Sequence, residues 1–368
     1  MKRVLLLAAM LAGFACSNDD SSIAPPPDPE IADFLVIGRD LENVYQYSFN
    51  GDSETGQLTN LTQEIGVFPN YLTLRQEDEV LSFYSFADGA ISLTLIDVST
   101  RESMVYPDVF VDNPDQSIAW GINTRSKVFF GFFGPFGTRN LAIQDAELSG
   151  TSVQDIQIDV DVASTFQPLL FNNKLYVTYR DNQGDHKLTF YDIERNTIGP
   201  IVNFNSVPVS ILFDNSGDLA VIKNGATPVL ELYDPNTLAL QEEQLMDLNT
   251  GFSSGPLDGA VLKDNLLFYE VSYVQPARFG SGPAIFDLTT QENRIIDFFA
   301  IADEVEMQIG ASITITTQVF DESQNTFLIG YNVVENDQPR GGILQISVEG
   351  DLIANVPLAF FPSYIFRN

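Results

Sequence analysis

Lys187–Pro200 reads KLTFYDIERNTIGP. Leu188 and Phe190 alternate with Lys187 and Thr189, the period-two pattern of a strand with one buried face. Asp192 suits a tight turn, because its carboxylate can accept from backbone N–H groups just downstream. Thr197–Pro200 then begins a return strand. The same hairpin recurs along the chain, its outgoing strand ending at Ser48 (VYQYS), Asp97 (LTLID), Asp145 (LAIQD), Asp192 (LTFYD), Asp234 (LELYD), Asp287 (PAIFD) and Ser347 (ILQIS).

These endpoints are spaced roughly 42 to 60 residues apart, a period that holds about four short strands per unit. Repeats of that size predict an all-β fold, a seven-bladed β-propeller. The fourth unit shows the strands as Phe166–Phe171 (A), Leu175–Arg180 (B), Lys187–Asp192 (C) and Pro200–Phe204 (D). In the fifth they are Val209–Asp214, Asp218–Lys223, Pro228–Asp234 and Leu240–Leu245. The first unit opens on a B-like strand, Asp33–Arg39, with no A strand before it. After the last D strand, Asp351–Leu358, comes FPSYIFR (Phe361–Arg367), which matches FPNYLTL (Phe68–Leu74), the expected A strand of the second unit. The C-terminal strand is therefore expected to complete the first blade, removing the free edges that invite aggregation. Between units, Leu248–Pro256 and Val274–Gly282 read as long loops, and Ile301, Val305 and Ile309 at four-residue spacing predict a short helix over Ala300–Ile309.

Composition supports one large β domain. Of 368 residues 44% are hydrophobic, with 28 Phe and 13 Tyr, which is enough apolar mass for a core and favours strands. A net charge of −32 argues against a nucleic-acid partner, since phosphate binding needs a basic surface. It fits a self-repelling, monomeric surface unless a receptor is bound.

Cys16 is the one cysteine, so no intrachain disulfide can form. Lys2 and Arg3, the apolar run Val4–Ala12 and the approach Gly13-Phe14-Ala15 precede it. This stretch resembles a bacterial lipoprotein signal, although Gly13 stands where that family usually has Leu. The resemblance implies a signal peptide over residues 1–15, acylation of Cys16, an acidic and Pro-rich tether over 16–30, and a propeller over 31–368. Ser17-Asn18-Asp19-Asp20 resembles the surface-export signals of some Gram-negative lipoproteins, which implies the cell surface, with a periplasm-facing outer-membrane position as the alternative. An acyl anchor holds a protein to a membrane without any spanning helix. As a whole the chain resembles seven-bladed propeller lipoproteins of Gram-negative envelopes. Some of those sit beside outer-membrane receptors and capture ligands such as iron–siderophore complexes.

Catalytic constellations are scarce. His186 is the one histidine, which excludes a His-rich zinc site; it reads as a solvated loop residue, with ligand or acid–base duty as the alternative. No cofactor is implied. Asp181–Asp185 and Asp214–Asp218 read as hairpin turns in place of calcium loops. In Val153–Val162 the alternation of Ile156, Ile158, Val160 and Val162 with polar residues predicts an outer strand. The face carrying the B–C loops gathers basic residues in six units: Arg39, Arg139, Arg180 with Lys187, Lys223, Arg278 and Arg340. Such a ring suits an anionic ligand. Most other cations, Arg75 and Arg125 among them, map to turns on the opposite face. His186, Trp120, Phe136 and Phe279 are the further candidates there, and Phe136 and Phe279 also read as structural staples. A binding protein is the leading function; a carboxylate-based hydrolase or lyase acting on a saccharide and a structural adhesion scaffold are the alternatives.

Overall fold

A computed structural model describes residues 30–248, 251–334 and 339–367. Its strands form seven sheets, antiparallel apart from one two-residue parallel pairing, that follow one another around a ring, the expected propeller. The stretch read as a signal peptide, Cys16 and nearly all of the expected tether lie outside the described residues.

Closure occurs as the sequence predicts. Phe361–Ile365 pairs antiparallel with Phe34–Arg39, placing Val36 against Ile365 and Ile37 against Tyr364. The first sheet therefore runs, from the channel outward, Phe361–Ile365, Phe34–Arg39, Val44–Asn50, Thr55–Asn60. Gly38 is required at this seam, because an added Cβ would fall 2.2 Å from the Phe360 ring and 2.5 Å from the Phe361 carbonyl oxygen.

The interior is divided. Among the described residues seven hydrophobic clusters are found, each filling the junction between two neighbouring blades. Alternation explains this arrangement: each strand sends one set of side chains to each face of its sheet, and both faces are covered by the next blade. Polar clamps cross some junctions. The Tyr191 hydroxyl of blade 4 donates to Asp145 of blade 3 at 2.7 Å, and Asp145 is also paired with Lys127 at 3.0 Å.

Several elements depart from expectation. The inner strand of blade 2 is Thr73–Glu77, so Phe68–Leu72 enters it as a turn and bend and Arg75 lies within a strand. In blade 4 the inner strand is split into Val162–Thr165 and Leu169–Phe171. The Val153–Val162 alternation breaks after Asp159, because Asp161 takes a positive φ of 54°, and Val162 begins the next blade. The helix spans Phe298–Ile309, capped by Asp297, whose side chain accepts from the Ala300 N–H, and by Gly310 at φ 72°. It buries Phe298, Ile301, Ala302 and Val305, whereas Ile309 stays partly exposed. The second half of the Leu248–Pro256 segment is not a free loop. Gly255–Pro256 runs parallel to the inner strand Val209–Phe213, and the Leu257 N–H donates to the Ile211 carbonyl at 3.0 Å.

Candidate functional site

Three cations of the B–C face, Lys187, Lys223 and Arg278, are neutralised within the protein. Lys187 pairs with Asp181 at 3.0 Å and Asp159 at 3.3 Å, and Asp159 also accepts from the Tyr179 hydroxyl. Lys223 pairs with Glu231 and with Glu243. Arg278 is held by Asp303 at 2.7 Å and by Glu306, both on the helix Phe298–Ile309. Arg39 donates to the Pro69 carbonyl and lies 6.0 Å from the Tyr71 ring centroid. Arg180 and Arg340 are exposed, and the Arg340 carbonyl accepts from the Val333 N–H.

The aromatic candidates divide in the same way. Trp120 is buried in the inner strand Ser117–Asn123, its ring lying against Gly131 and its indole N–H donating to Thr165. It belongs to the core, not to a loop. Phe279 is also buried, edge-on to Phe298 at 5.0 Å, and fastens the helix to blade 6. His186 corrects its expected setting. It is the first residue of the strand His186–Asp192, buried, with its ring stacked on Phe166 at 6.4 Å. Burial, reinforced by neighbouring Arg180, lowers its pKa and favours neutral imidazole. Phe136 alone is fully presented, at 83% exposure, and shares a surface hollow of about 470 Å³ with Arg139. Arg139 itself donates to the Ala163 carbonyl at 3.4 Å.

The central channel holds the better-formed site. A cavity of about 370 Å³ is lined mainly by inner-strand residues, including Arg75, Gln76 and Glu77 of blade 2, Gln167 at blade 4, Gln318 of blade 7 and Tyr364 of blade 1. Glu77 ends its strand and Arg367 follows Ile365 by two residues, so the cavity reaches toward the A–B turns, away from the B–C face. Asp258 lines the opposite wall, carried there by the segment that follows the parallel Gly255–Pro256 pairing. Glu270 joins it from blade 6, where the inner strand Val261–Lys263 is too short to cover it, and accepts from the Ser281 hydroxyl.

Gln76 organises one side of this cavity. Its Oε1 accepts from the Tyr364 hydroxyl at 2.9 Å and the Arg367 N–H at 3.0 Å, and its Nε2 donates to the Arg367 carbonyl at 2.6 Å. One amide thereby fastens the closing segment of blade 1 beside blade 2. Arg75 donates to Gln167 Oε1 at 2.7 Å and to the Leu74 carbonyl, while its buried Nε has no partner. Among the described residues no carboxylate oxygen lies within 4.0 Å of a guanidinium nitrogen of Arg75 or Arg367. Burial lowers the Arg75 pKa and Asp258 opposes that shift. Arg367 keeps an exposed side chain in crowded surroundings, and the loss of bulk solvent there is outweighed by Tyr364 and Asp258, which favour its charged form. Half-buried Glu77 is pushed up to about 7 by burial, with a smaller push from Asp78.

Among the described residues no group of three or more His, Cys, Asp or Glu side chains is placed to hold a metal ion. The two loops weighed as calcium sites turn their carboxylates onto their own backbone: Asp181 accepts from the Gln183 and Asp185 N–H groups, and Asp214 from those of Ser216 and Asp218.

Sequence reasoning missed the channel because it followed cations into loops. A signal was present: Arg75, Gln76, Gln167, Gln318 and Arg367 are polar residues close to or within inner strands that otherwise favour apolar or small side chains.

Ring and channel together define a seven-bladed β-propeller with a charged central cavity. No protein-family profile matches this sequence, and no curated protein matches it. Among solved structures, it is similar to a chain from a structural and mechanistic study of two prolyl endopeptidases, at 13% identity and a TM-score of 0.52, over 90% of this chain and 50% of that one. It is also similar to the uncharacterized protein lmo1340 from Listeria monocytogenes EGD-e, at 14% identity and a TM-score of 0.50, over 91% and 93% of the two chains. The β-propeller domain of the Trilobed protease from Pyrococcus furiosus matches at 10% identity and a TM-score of 0.48, over 89% and 96%. At these identities the likeness shows a shared fold alone.

Proposed function

We propose that this chain is a lipid-anchored, non-enzymatic binding protein of the Gram-negative envelope, which holds a small ligand in its propeller channel beside an outer-membrane receptor. The observation that carries the reading is the channel cavity, where Arg75 and Arg367, which form no ion pair with a described carboxylate, meet the Gln318 Oε1, which accepts from no described residue. Its volume of about 370 Å³ lies within the range of small-molecule sites, roughly 300–1,000 Å³. The anchor rests on the lipoprotein-like sequence around Cys16. The test compares membranes carrying the wild-type protein, Cys16→Ala, and the double variant Arg75→Gln/Arg367→Gln, each incubated with growth medium. Wild-type membranes should retain a small molecule detectable by mass spectrometry. The double variant should lose it, and Cys16→Ala should move to the soluble fraction. Equal retention by the double variant would remove the channel from the reading, and an unshifted Cys16→Ala would remove the anchor.

One observation favours a second reading, a carboxylate-based hydrolase. Glu77, near 7 and facing the same cavity as Asp258 and Glu270, is tuned for general-acid chemistry at neutral pH. Hydrolysis of 4-nitrophenyl glycosides that disappears in Glu77→Gln would support it. No turnover by the wild-type protein across such a panel would reject it.

A further inference from the structure

The charges around the channel are divided unevenly: both arginines lie on one side, with Glu77, and the other side carries carboxylates alone among the described residues. Arg367 and Arg75 come from blades 1 and 2, which are neighbours in the ring. Asp258 and Glu270 come from the entry to blade 6 and from blade 6 itself. In a ring of seven, blade 2 faces the junction of blades 5 and 6, so the basic and acidic walls oppose each other across the cavity. Asp258 acts electrostatically on both arginines and on Tyr364, yet it forms no ion pair or hydrogen bond with a described residue. Glu77, on the basic side, is likewise without an ion pair. Elsewhere the molecule brings opposite charges into contact, as at Lys187, Lys223 and Arg278. In the channel it holds them apart with space between.

We propose that the channel binds a small amphoteric molecule, an amino acid or short peptide, whose carboxylate is taken by Arg75 and Arg367 and whose ammonium is taken by Asp258 with Glu270. This deepens the binding-protein reading and rests on it. The arginines supply charge-assisted donors suited to a planar carboxylate, with the Tyr364 hydroxyl beside them. The far wall supplies carboxylate acceptors for an ammonium. Net charge points the same way. A protein carrying −32 repels a free anion, whereas a zwitterion has no net charge to be repelled and gains from both walls.

The test is calorimetric titration of the whole propeller with four forms of one tripeptide, Ala-Ala-Ala: both ends free, N-acetylated, C-amidated, and blocked at both ends. Free alanine is a fifth arm that separates amino acid from peptide. The free tripeptide or alanine should bind, and blocking either end should weaken binding roughly 10- to 100-fold, the effect of one charge-assisted contact. Arg75→Gln should weaken the free and N-acetylated forms and leave the amide unchanged. Asp258→Asn should weaken the free and amidated forms and leave the N-acetylated form unchanged. Asp258 is exposed and makes no hydrogen bond with a described residue, so Asp258→Asn should fold as the wild type does, with thermal melting as the control for both variants. Equal binding of all four tripeptides, or an Asp258→Asn effect independent of the ammonium, would overturn the proposal while leaving a channel ligand in place. Failure of every arm to bind would also overturn it; the growth-medium experiment then decides separately whether the channel holds any ligand.

Discussion

At the scale of single residues, the repeat is held by aspartates that stop strands. Asp97 accepts from the Ser99 and Thr100 N–H groups, Asp234 from those of Asn236 and Thr237, and Asp287 from those of Thr289 and Thr290, while Asp192 accepts from that of Arg195. Each such turn forces the residue four places on into the left-handed region: Arg101 at φ 62°, Asn196 at 53°, Leu238 at 51° and Gln291 at 63°. Asparagine tolerates that region and arginine does not favour it. Arg101 is exposed, its side chain making a single bond to Gln57 at 3.0 Å. Arg101→Asn should therefore raise stability by roughly 0.5–1 kcal/mol, seen as a higher urea midpoint with an unchanged slope. A lower midpoint would mean the Gln57 contact outweighs the backbone strain. Asp145 shares the sequence pattern but not the role. Its longer turn uses Gly150 at φ 75°, and its carboxylate is buried against Lys127 and Tyr191.

At the scale of elements, the closing strand carries disproportionate weight. Phe360, Ile365 and Phe366 are all buried, and they belong to two different junction clusters, on either side of blade 1. Removing one large buried aliphatic side chain costs about 2–5 kcal/mol, against a typical total of about 5–15 kcal/mol. Ile365→Ala should lower the unfolding free energy by an amount in that range, read from a lower urea midpoint at unchanged slope, and a chain ending at Leu358 should lose its cooperative transition and self-associate through the bared edge. A truncated protein that remained monomeric with the wild-type midpoint would show that closure is not what holds the ring. This element was legible in advance because FPSYIFR carries its own alternation and aromatic content. The inner strand of blade 2 was harder to place. FPNYLTL looks like a strand, but the chain turns through Phe68–Leu72 and the pairing begins at Thr73, which carries Arg75 into the channel.

At the scale of the whole molecule, architecture and site differ in how far the sequence reveals them. Blade number follows from turn chemistry repeated at regular intervals, which is local and therefore readable. The channel is assembled from residues as far apart as Arg75, Gln167, Asp258 and Arg367, and only closing the ring brings them together. The basic face was only partly legible for a related reason: the carboxylates that neutralise Arg278 sit on a helix beyond its own hairpin, and no local pattern announces them. Closure also orders events in time. Strand Phe34–Arg39 is made early, yet the segment that covers its inner edge lies far downstream, as the Ser363–Ile37 contact, 326 residues apart, shows. Contacts of that separation are the slowest to form, because the intervening chain must first surrender its freedom. Until residues 361–365 have been synthesised, blade 1 has no inner strand, and the arginine wall of the channel lacks Arg367. The cavity and the finished ring thus come into being in the same step, so the space proposed for a ligand exists only once folding is complete.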